Sequence, residues 1–521
     1  MTLSWNVARV TEGLRVIQKS RGDTLTILKE LINGYHNVSQ NEDYYDLIAG
    51  DWLESFIHLT YSAWQNVLAG EARVKEIPIP VVADSRAFAR SLFDPSFHEY
   101  WNLAVRKALD GVSPSDWRFS HDSVTISSGR SKWQKSNAIG RIISTRRPEL
   151  VLCHTYYRCS HKDWISSLWR WRRWAKWDNF DYPISFPCPI NQNWRRARAA
   201  AEFPIRGFSS LLRVLLPLHV PAALLEGLAS LRNAAVELKL WRPRALYTAN
   251  ALHGHLTFKV LAAEWRKEGT LLLNHQHGGG YGIDRVHVPE EYESRVADRF
   301  YSWGWQRSDR TVKPMSIPSS PKYDRVRRRV LLICVDFSRT VIRLQFHPMP
   351  GTIETLVRET ATFVSELSPN SELLIRSYPV DYGWGMTGAL QTAAPWATFD
   401  DERPNAFQRY AESRMVVHSY LGTSWLETLA LDIPTVCFFD PDTYAFRAEA
   451  QPYIDALERV GILHRSGRDA ARFVVRLWND PGGWWQSEEV QSARLAFVER
   501  YANFSQDWAN QWEQEFGELL G

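Results

Sequence analysis

Cysteine is scarce and follows no pairing pattern. Cys153, Cys159, Cys188, Cys334 and Cys437 are odd in number, widely scattered and without CxxC spacing. That argues against a disulfide framework and against a cysteine-ligated zinc site, and a reducing cytoplasm is the expected compartment. Long apolar runs are missing as well. The opening residues, MTLSWNVARVTEGLRVIQKS, are amphipathic and charged with no apolar signal core, so neither an integral nor a secreted protein is expected. There is no large excess of charge: 62 Lys and Arg nearly balance 58 Asp and Glu, for a formal net charge of +4. Wholesale nucleic-acid binding therefore has little support. Neither GxxxxGKS nor GxGxxG stands near a suitable strand, which weighs against a P-loop NTPase or a dinucleotide oxidoreductase. Repeats and low-complexity tracts are also lacking.

Tryptophan, by contrast, is plentiful: there are 24 in a chain of 521 residues that is 45% hydrophobic and long enough for two cores. In DWISSLWRWRRWAKWDNF, Trp164, Trp169, Trp171, Trp174 and Trp177 interleave with Arg170, Arg172, Arg173 and Lys176. Indole and guanidinium together suit the headgroup level of an anionic membrane, so peripheral contact with the inner face of the inner membrane is one expectation. A helix with its Trp residues packed inward and its Arg residues solvated is the other. The basic segment that follows, NWRRARAAAEFPIRGFSSLLRVLLPL, has an apolar face that fits either.

The first stretch is helical by its three- and four-residue spacing, in GDTLTILKELINGYHNV, with Asp23 placed as a cap, and in YYDLIAGDWLESFIHLTYSAWQNVLAG. Short apolar runs at 149–157, 244–250, 270–276 and 299–305 then read as strands, the last three separated by stretches that can carry helices such as FKVLAAEWRKEG, closed by Gly269. Residues 308–329 are rich in Pro, Ser and charge without periodicity, the composition of a linker. Beyond them strand-like runs at 330–337, 372–379, 396–401, 414–420 and 434–439 alternate with helical ones. The expected fold is α/β and GT-B-like: two Rossmann-like domains, 1–315 and 316–521, facing across a cleft, with a helical N-terminal region.

Ligands of doubly wound sheets bind beyond the carboxyl ends of the strands. Three loops there carry the right residue types. In HSYLGTSWLETLA a strand runs through Ser419 and Gly422 into Thr423 and Ser424 at a helix start, an anion site made of free N–H groups and hydroxyls. Glu427, three residues beyond Ser424, either closes a capping box or accepts from a ribose. In IRSYPVDYGW, Arg376 offers a phosphate-pairing fork, Ser377 a hydroxyl and Tyr378 a face for a base. A nucleotide is the expected ligand of these two loops. The third loop, LLLNHQHGGGYG, belongs to the other domain. Gly278, Gly279 and Gly280 admit close approach to the main chain and a nest of N–H groups for an anion, with Tyr281 beside them. His275 and His277 point the same way if the strand continues, or splay if it has ended. No third ligand sits at metal-site spacing, so no metal is expected, and His277 is the candidate for proton transfer or anion binding.

QHGGGYG followed by EEYESRVADRFYSWGW, with YHNVSQNEDYYDLIAGDWLESF, FHEYWNLAVRKAL and YPVDYGW elsewhere, resembles a bacterial transferase family of surface-carbohydrate biosynthesis. The likeness covers most of the chain, least of all the Trp-rich insert. More distantly, YP at a strand end and GTSWLE resemble the motifs by which CMP-sugar-dependent transferases, among them sialyl- and Kdo-transferases, hold the cytidine phosphate; Tyr378 stands where that pattern has His. The resemblance implies transfer of a CMP-linked 3-deoxy-ulosonic acid such as Kdo onto a surface glycan of the lipopolysaccharide or capsule type. Its partners would be a nucleotide sugar and a glycan or glycolipid acceptor, with no cofactor beyond the donor. Retaining β-Kdo transferases use a carboxylate nucleophile, and family members tend to carry Asp in the segment that reads NALHGHLTFK, where His255 stands here. Either Glu293 or Asp298 takes that role, or the mechanism differs, or activity is lost. A UDP- or GDP-sugar or polyol-phosphate transferase, and a non-catalytic assembly protein, remain the rival classes.

Overall fold

In a computed structural model of the chain, residues 5–70, 77–127, 147–155, 170–172, 174–308, 311–319, 329–346, 348–368, 372–400 and 405–521 are described. The helical start is longer than its sequence segments suggest. Val7–His36 is one 30-residue helix capped by Asn6, whose side chain accepts from the Arg9 N–H; Asp23 lies inside it and caps nothing. Unbroken apolar spacing on both sides of Asp23 overrides its cap preference. Glu42–Leu68 follows, capped by Asn41 and largely buried.

Each of the two main sheets has six strands, all parallel. In the first the spatial order is Ala175–Trp177, Leu150–Cys153, Ala245–Thr248, Leu271–His275, Arg299–Ser302 and Val312–Pro314. In the second it is Thr398–Phe399, Leu373–Arg376, Arg329–Ile333, Ser413–His418, Thr435–Phe438 and Leu463–His464. Counted along the chain, that second order is 3-2-1-4-5-6, the doubly wound arrangement, with its order reversing between Arg329–Ile333 and Ser413–His418. The first sheet reverses between Leu150–Cys153 and Ala245–Thr248. Such parallel strands are buried on both faces, which is why they read as continuous apolar runs.

Among the crossings that tie the halves together, three carry much of the packing. The last helix, Trp508–Leu520, returns to the first sheet: Trp512 lies 4.7 Å from the Tyr301 ring, and buried Glu515 accepts from Tyr301 at 2.8 Å and pairs with Arg299 and Lys313. The loop after Arg329–Ile333 runs the other way, burying Val341, Leu344, Phe346 and Met349 in the core of the first half. There the Leu344 N–H donates to His58 Nδ1 at 2.9 Å and Thr340 Oγ1 to the Leu92 carbonyl at 2.9 Å. Finally, Arg447 pairs with Glu290 and its N–H donates to the Ile283 carbonyl.

The described end of the Trp/Arg insert points inward rather than toward a lipid surface. Trp171 is fully buried and stacked on Trp177 at 5.8 Å, against Trp508 and Phe516 of the last helix. Arg170 pairs with Glu513. Trp164, Trp169 and Arg173 lie outside the described residues. In the basic segment after it, buried Arg195 is held by Glu226 through two nitrogens and by the last carbonyls of the helix Phe208–His219. No helix among the described residues is long and apolar enough to cross a membrane.

Four histidines sit inside this packing as neutral groups. Burial lowers the pKa of His58 to about 4 and those of His219, His275 and His418 to about 3. In the unfolded chain they take up a proton near pH 6.5, so the folded state loses stability as pH falls from there toward 4, by up to about 1.4 kcal/mol per group and pH unit. Protonating His58 also removes the acceptor of the Leu344 N–H. A melting temperature that stays level between pH 7.5 and 5 would contradict this.

Candidate functional site

The carboxyl ends of the two sheets meet at the glycine loop. The strand Leu271–His275 ends before His277, so the two histidines part: His275 turns into the core beneath the last helix, fully buried, its Nδ1 2.7 Å from the Tyr247 hydroxyl and its ring 5.1 Å from Trp512. It packs in the core there, away from the surface that His277 reaches. Gln276 pins the turn, accepting from the Trp303 N–H and from Trp305 Nε1 while donating to the Gly278 carbonyl. Gly279 then lies against the opposite wall. Its N–H donates to Thr423 Oγ1 at 3.0 Å, and a Cβ placed on it would come within 2.5 Å of the Gly422 carbonyl oxygen. At Gly280, φ is +86° and a Cβ would strike Asp284 and His287.

That opposite wall is the start of the helix Thr423–Ala430, on which no side chain forms a cap. No side chain therefore takes up its first N–H groups, and the positive end of its dipole lies beside the glycine loop. Ser424 Oγ lies 3.1 Å from His418 Nδ1. Glu427 closes no capping box with it: it is buried, accepting from the Tyr410 hydroxyl at 3.2 Å. Ser419 is buried too and donates to the Ile333 carbonyl. Arg376 presents no free fork, because its guanidinium is bound to buried Asp400 at 2.5 Å, which Arg409 shares. Ser377 and the exposed Tyr378 follow on a loop beside Tyr382.

Behind the glycine loop stands a group that the spacing did not reveal. Glu293, in the helix Val288–Val296, is fully buried; its Oε1 lies 2.5 Å from His253 Nε2 and 3.5 Å from His277 Nδ1, and both its oxygens accept from the Tyr281 hydroxyl at 3.1 Å. Tyr281 is itself buried and acts on Glu293, not on a ligand. A quarter of the His277 side chain and over a third of the His253 side chain reach the surface, at 24% and 37%. Arg343, brought by the loop from the second half, adds its charge to Tyr281 and Glu293 and, among the described residues, has no carboxylate partner. Burial lifts the Glu293 carboxyl to about 7; His277, Tyr281 and Arg343 pull it down and Glu290 pushes it up. Burial lowers the His277 ring.

Asp298 and His255 stand elsewhere. Asp298 sits at the opposite end of the first sheet, accepting from the Leu272 N–H and bound to Arg266 at 2.6 Å, a brace rather than a nucleophile. His255 caps the helix Leu256–Arg266 and lies 3.9 Å from Asp181. The segment around His255 was legible as important, but the residue that reaches Glu293 is His253. Among the described residues, two groups bring three metal-ligand atoms within 4.8 Å of one another: His253 with His277 and Glu293, and His154 with Asp181 and His255. In the first, the 2.5 Å contact of His253 with Glu293 is a hydrogen bond, shorter than the about 3.3 Å between ligands on a tetrahedral ion with 2.0 Å bonds. That group is built to hold a proton.

Two doubly wound sheets whose carboxyl ends meet across one gap make the GT-B arrangement. The chain belongs to the LIC12162 family transferases, whose pattern it matches over residues 6–516. Comparison with curated proteins found no match. Among solved structures, it is similar to Anabaena HepE in complex with UDP and glucose, at 12% identity over 71% of this chain and 98% of that one, TM-score 0.37. It is also similar to the UDP-GlcNAc 2-epimerase of Neisseria meningitidis bound to UDP-GlcNAc, at 10% identity over 71% and 99%, TM-score 0.34. The rhamnosyltransferase SpnG with spinosyn aglycone is a further similar structure, at 12% identity over 71% and 100%, TM-score 0.32.

Two outcomes are expected here. Replacing Gly279 with Ala drives a methyl into the Gly422 backbone, which has no rotamer to yield, and costs about 1 to 3 kcal/mol; an unchanged melting temperature would show that the walls are not in contact. Glu293, with its pKa raised from 4.5 to about 7, keeps a proton in the folded state that the unfolded chain releases, so its contribution to stability is full below 4.5 and lost as pH rises to about 7. Glu293→Gln should therefore gain on the wild type across that window, by on the order of 3 kcal/mol. Parallel melting curves at every pH would refute the raised carboxyl.

Proposed function

We propose that the chain transfers a glycosyl group from a nucleotide-activated sugar, a CMP-linked 3-deoxy-ulosonic acid, to a glycan acceptor of the bacterial surface. The observation that carries this reading is the backbone contact of the glycine loop with the uncapped start of Thr423–Ala430, beside the His253–Glu293 pair and Arg343. Phosphate oxygens suit the N–H groups of that helix start, where charge and hydrogen-bond direction favour an anion. The sugar carboxylate suits Arg343.

The acceptor hydroxyl needs a base. His253 turns one ring nitrogen to Glu293 and is the more exposed of the two. Its other nitrogen takes the hydroxyl proton as the glycosyl bond forms and the bond to the phosphate breaks, and the Glu293 carboxylate then holds the imidazolium. His277 and Tyr281 fix the carboxylate in place. Nothing in this scheme uses Asp298 or Arg376.

Isothermal titration with CMP, CDP, UDP and GDP tests the donor. CMP should bind, and Arg343→Ala should weaken a CMP-ulosonate by about 1.5 to 3 kcal/mol, the worth of a hydrogen bond to a charged group. Binding of UDP or GDP alone would replace the donor, and binding of none would end the transferase reading in favour of an assembly protein. His253→Ala should leave CMP affinity as it is and slow release of CMP from the donor by roughly 10²- to 10⁴-fold.

A further inference from the structure

Apart from the proton-holding group, three more ligand-type side chains converge, and they stand at the other place where a doubly wound sheet binds something. The first sheet reverses its order between Leu150–Cys153 and Ala245–Thr248. A crevice opens beyond the carboxyl ends of strands at such a point. His154 is the first residue past one of these strands, and His255 closes the turn that follows the other. Asp181 comes from the loop after the neighbouring strand, Ala175–Trp177. Three chain segments far apart in sequence thus deliver two imidazoles and a carboxylate to one spot.

We propose that His154, Asp181 and His255 bind one divalent transition-metal ion of the zinc class at the switch point of the first sheet. The three ligand atoms already lie within 4.8 Å of one another, and His255 Nε2 is 3.9 Å from Asp181 Oδ1. Closing to the about 3.3 Å of a tetrahedral ion takes only small side-chain movements. His154 Nε2 is buried and, among the described residues, has no hydrogen-bond partner. A buried ring nitrogen in that state costs free energy that a bound cation would recover.

The surroundings hold the ligands as metal sites usually do, through outer hydrogen bonds. The Asn179 side chain accepts from the His154 backbone N–H at 3.0 Å and so fixes the turn that carries that ligand. For His255 Nε2, the nitrogen toward Asp181, to offer its lone pair, the proton moves to Nδ1, and the bond that Nδ1 accepts from the Phe258 N–H, a long one at 3.3 Å, is given up. Arg86 acts on both rings and works against a cation, and Asp181 supplies the opposing charge. A His₂Asp set leaves a fourth position open for water or a ligand oxygen, the type of zinc site that meets substrate.

Titration of the purified chain, stripped with chelator, with Co²⁺ and then Zn²⁺ tests this directly, and needs neither donor nor acceptor. One equivalent of Co²⁺ should give the intense visible bands of a four-coordinate ion, and Zn²⁺ should displace it. His154→Ala and Asp181→Asn should each weaken binding by more than the roughly 10- to 100-fold that follows loss of an outer partner. His253→Ala, which breaks the other group, should leave it intact. If His154→Ala does not fold, the near-isosteric Asp181→Asn decides. The proposal fails if the wild type takes up no stoichiometric ion, if binding survives Asp181→Asn, or if it is lost with His253→Ala. None of these results bears on nucleotide binding, so the metal site and the glycosyl-transfer reading stand or fall separately.

Discussion

Everything at the site depends on how near two backbones come. At Gly279 the first sheet's loop lies so close to Gly422 that a single carbon atom has no room, and the Gly279 N–H joins the loop to that wall by donating to Thr423. Side chains would hold the walls apart by their own thickness; glycine removes that thickness and brings amides from both halves to one gap. The rest of the molecule keeps this distance. The loop carrying Leu344 is rooted in the first core, Arg447 reaches back to Glu290, and the last helix clamps the first sheet. Dispersion and burial spread over these three crossings hold a contact that is worth little by itself.

The same closure governs the electrostatics. A carboxylate as buried as Glu293 is expensive unless it keeps its proton or gathers partners, and it has done some of both. His253, His277 and Tyr281 come from its own half, but Arg343 arrives on the loop that crosses from the other. Closure therefore acts on Glu293 in two opposed ways: it buries the carboxyl, the larger effect, which favours the proton, and it brings the Arg343 charge, which favours the carboxylate.

The alternation of strands and helices was legible because parallel strands must be apolar on both faces, and the runs at 244–250, 270–276, 330–337 and 414–420 all became strands. The glycine triplet was legible because three side-chain-free residues weaken any core. What it serves was not: Gly279 makes room for a wall, and only the fold says which. Asp23 and Asp298 were ambiguous in the sequence for a common reason. A carboxylate in sequence is equally a cap, a brace or a catalyst, and the choice is made by partners such as Arg266 that lie 32 residues away. His253 and Arg343 went unseen because nothing local distinguishes them. Each matters only through a residue on another element.

The histidines make the same point at higher resolution. His253 and His255 are two residues apart in one turn, yet the first faces Glu293 and the second faces His154 and Asp181. Alternation by two is a property of strands, and in a turn that leads into a helix it gives way to whatever each backbone step dictates. Here the turn fans its histidines toward two neighbours: one a carboxylate already within hydrogen-bond length, the other a carboxylate and an imidazole with room between them. Distance separates the chemistry open to each: His253 and Glu293, at 2.5 Å, share a hydrogen bond, whereas His255 and Asp181, at 3.9 Å, are spaced nearer to the separation of two ligands on one ion.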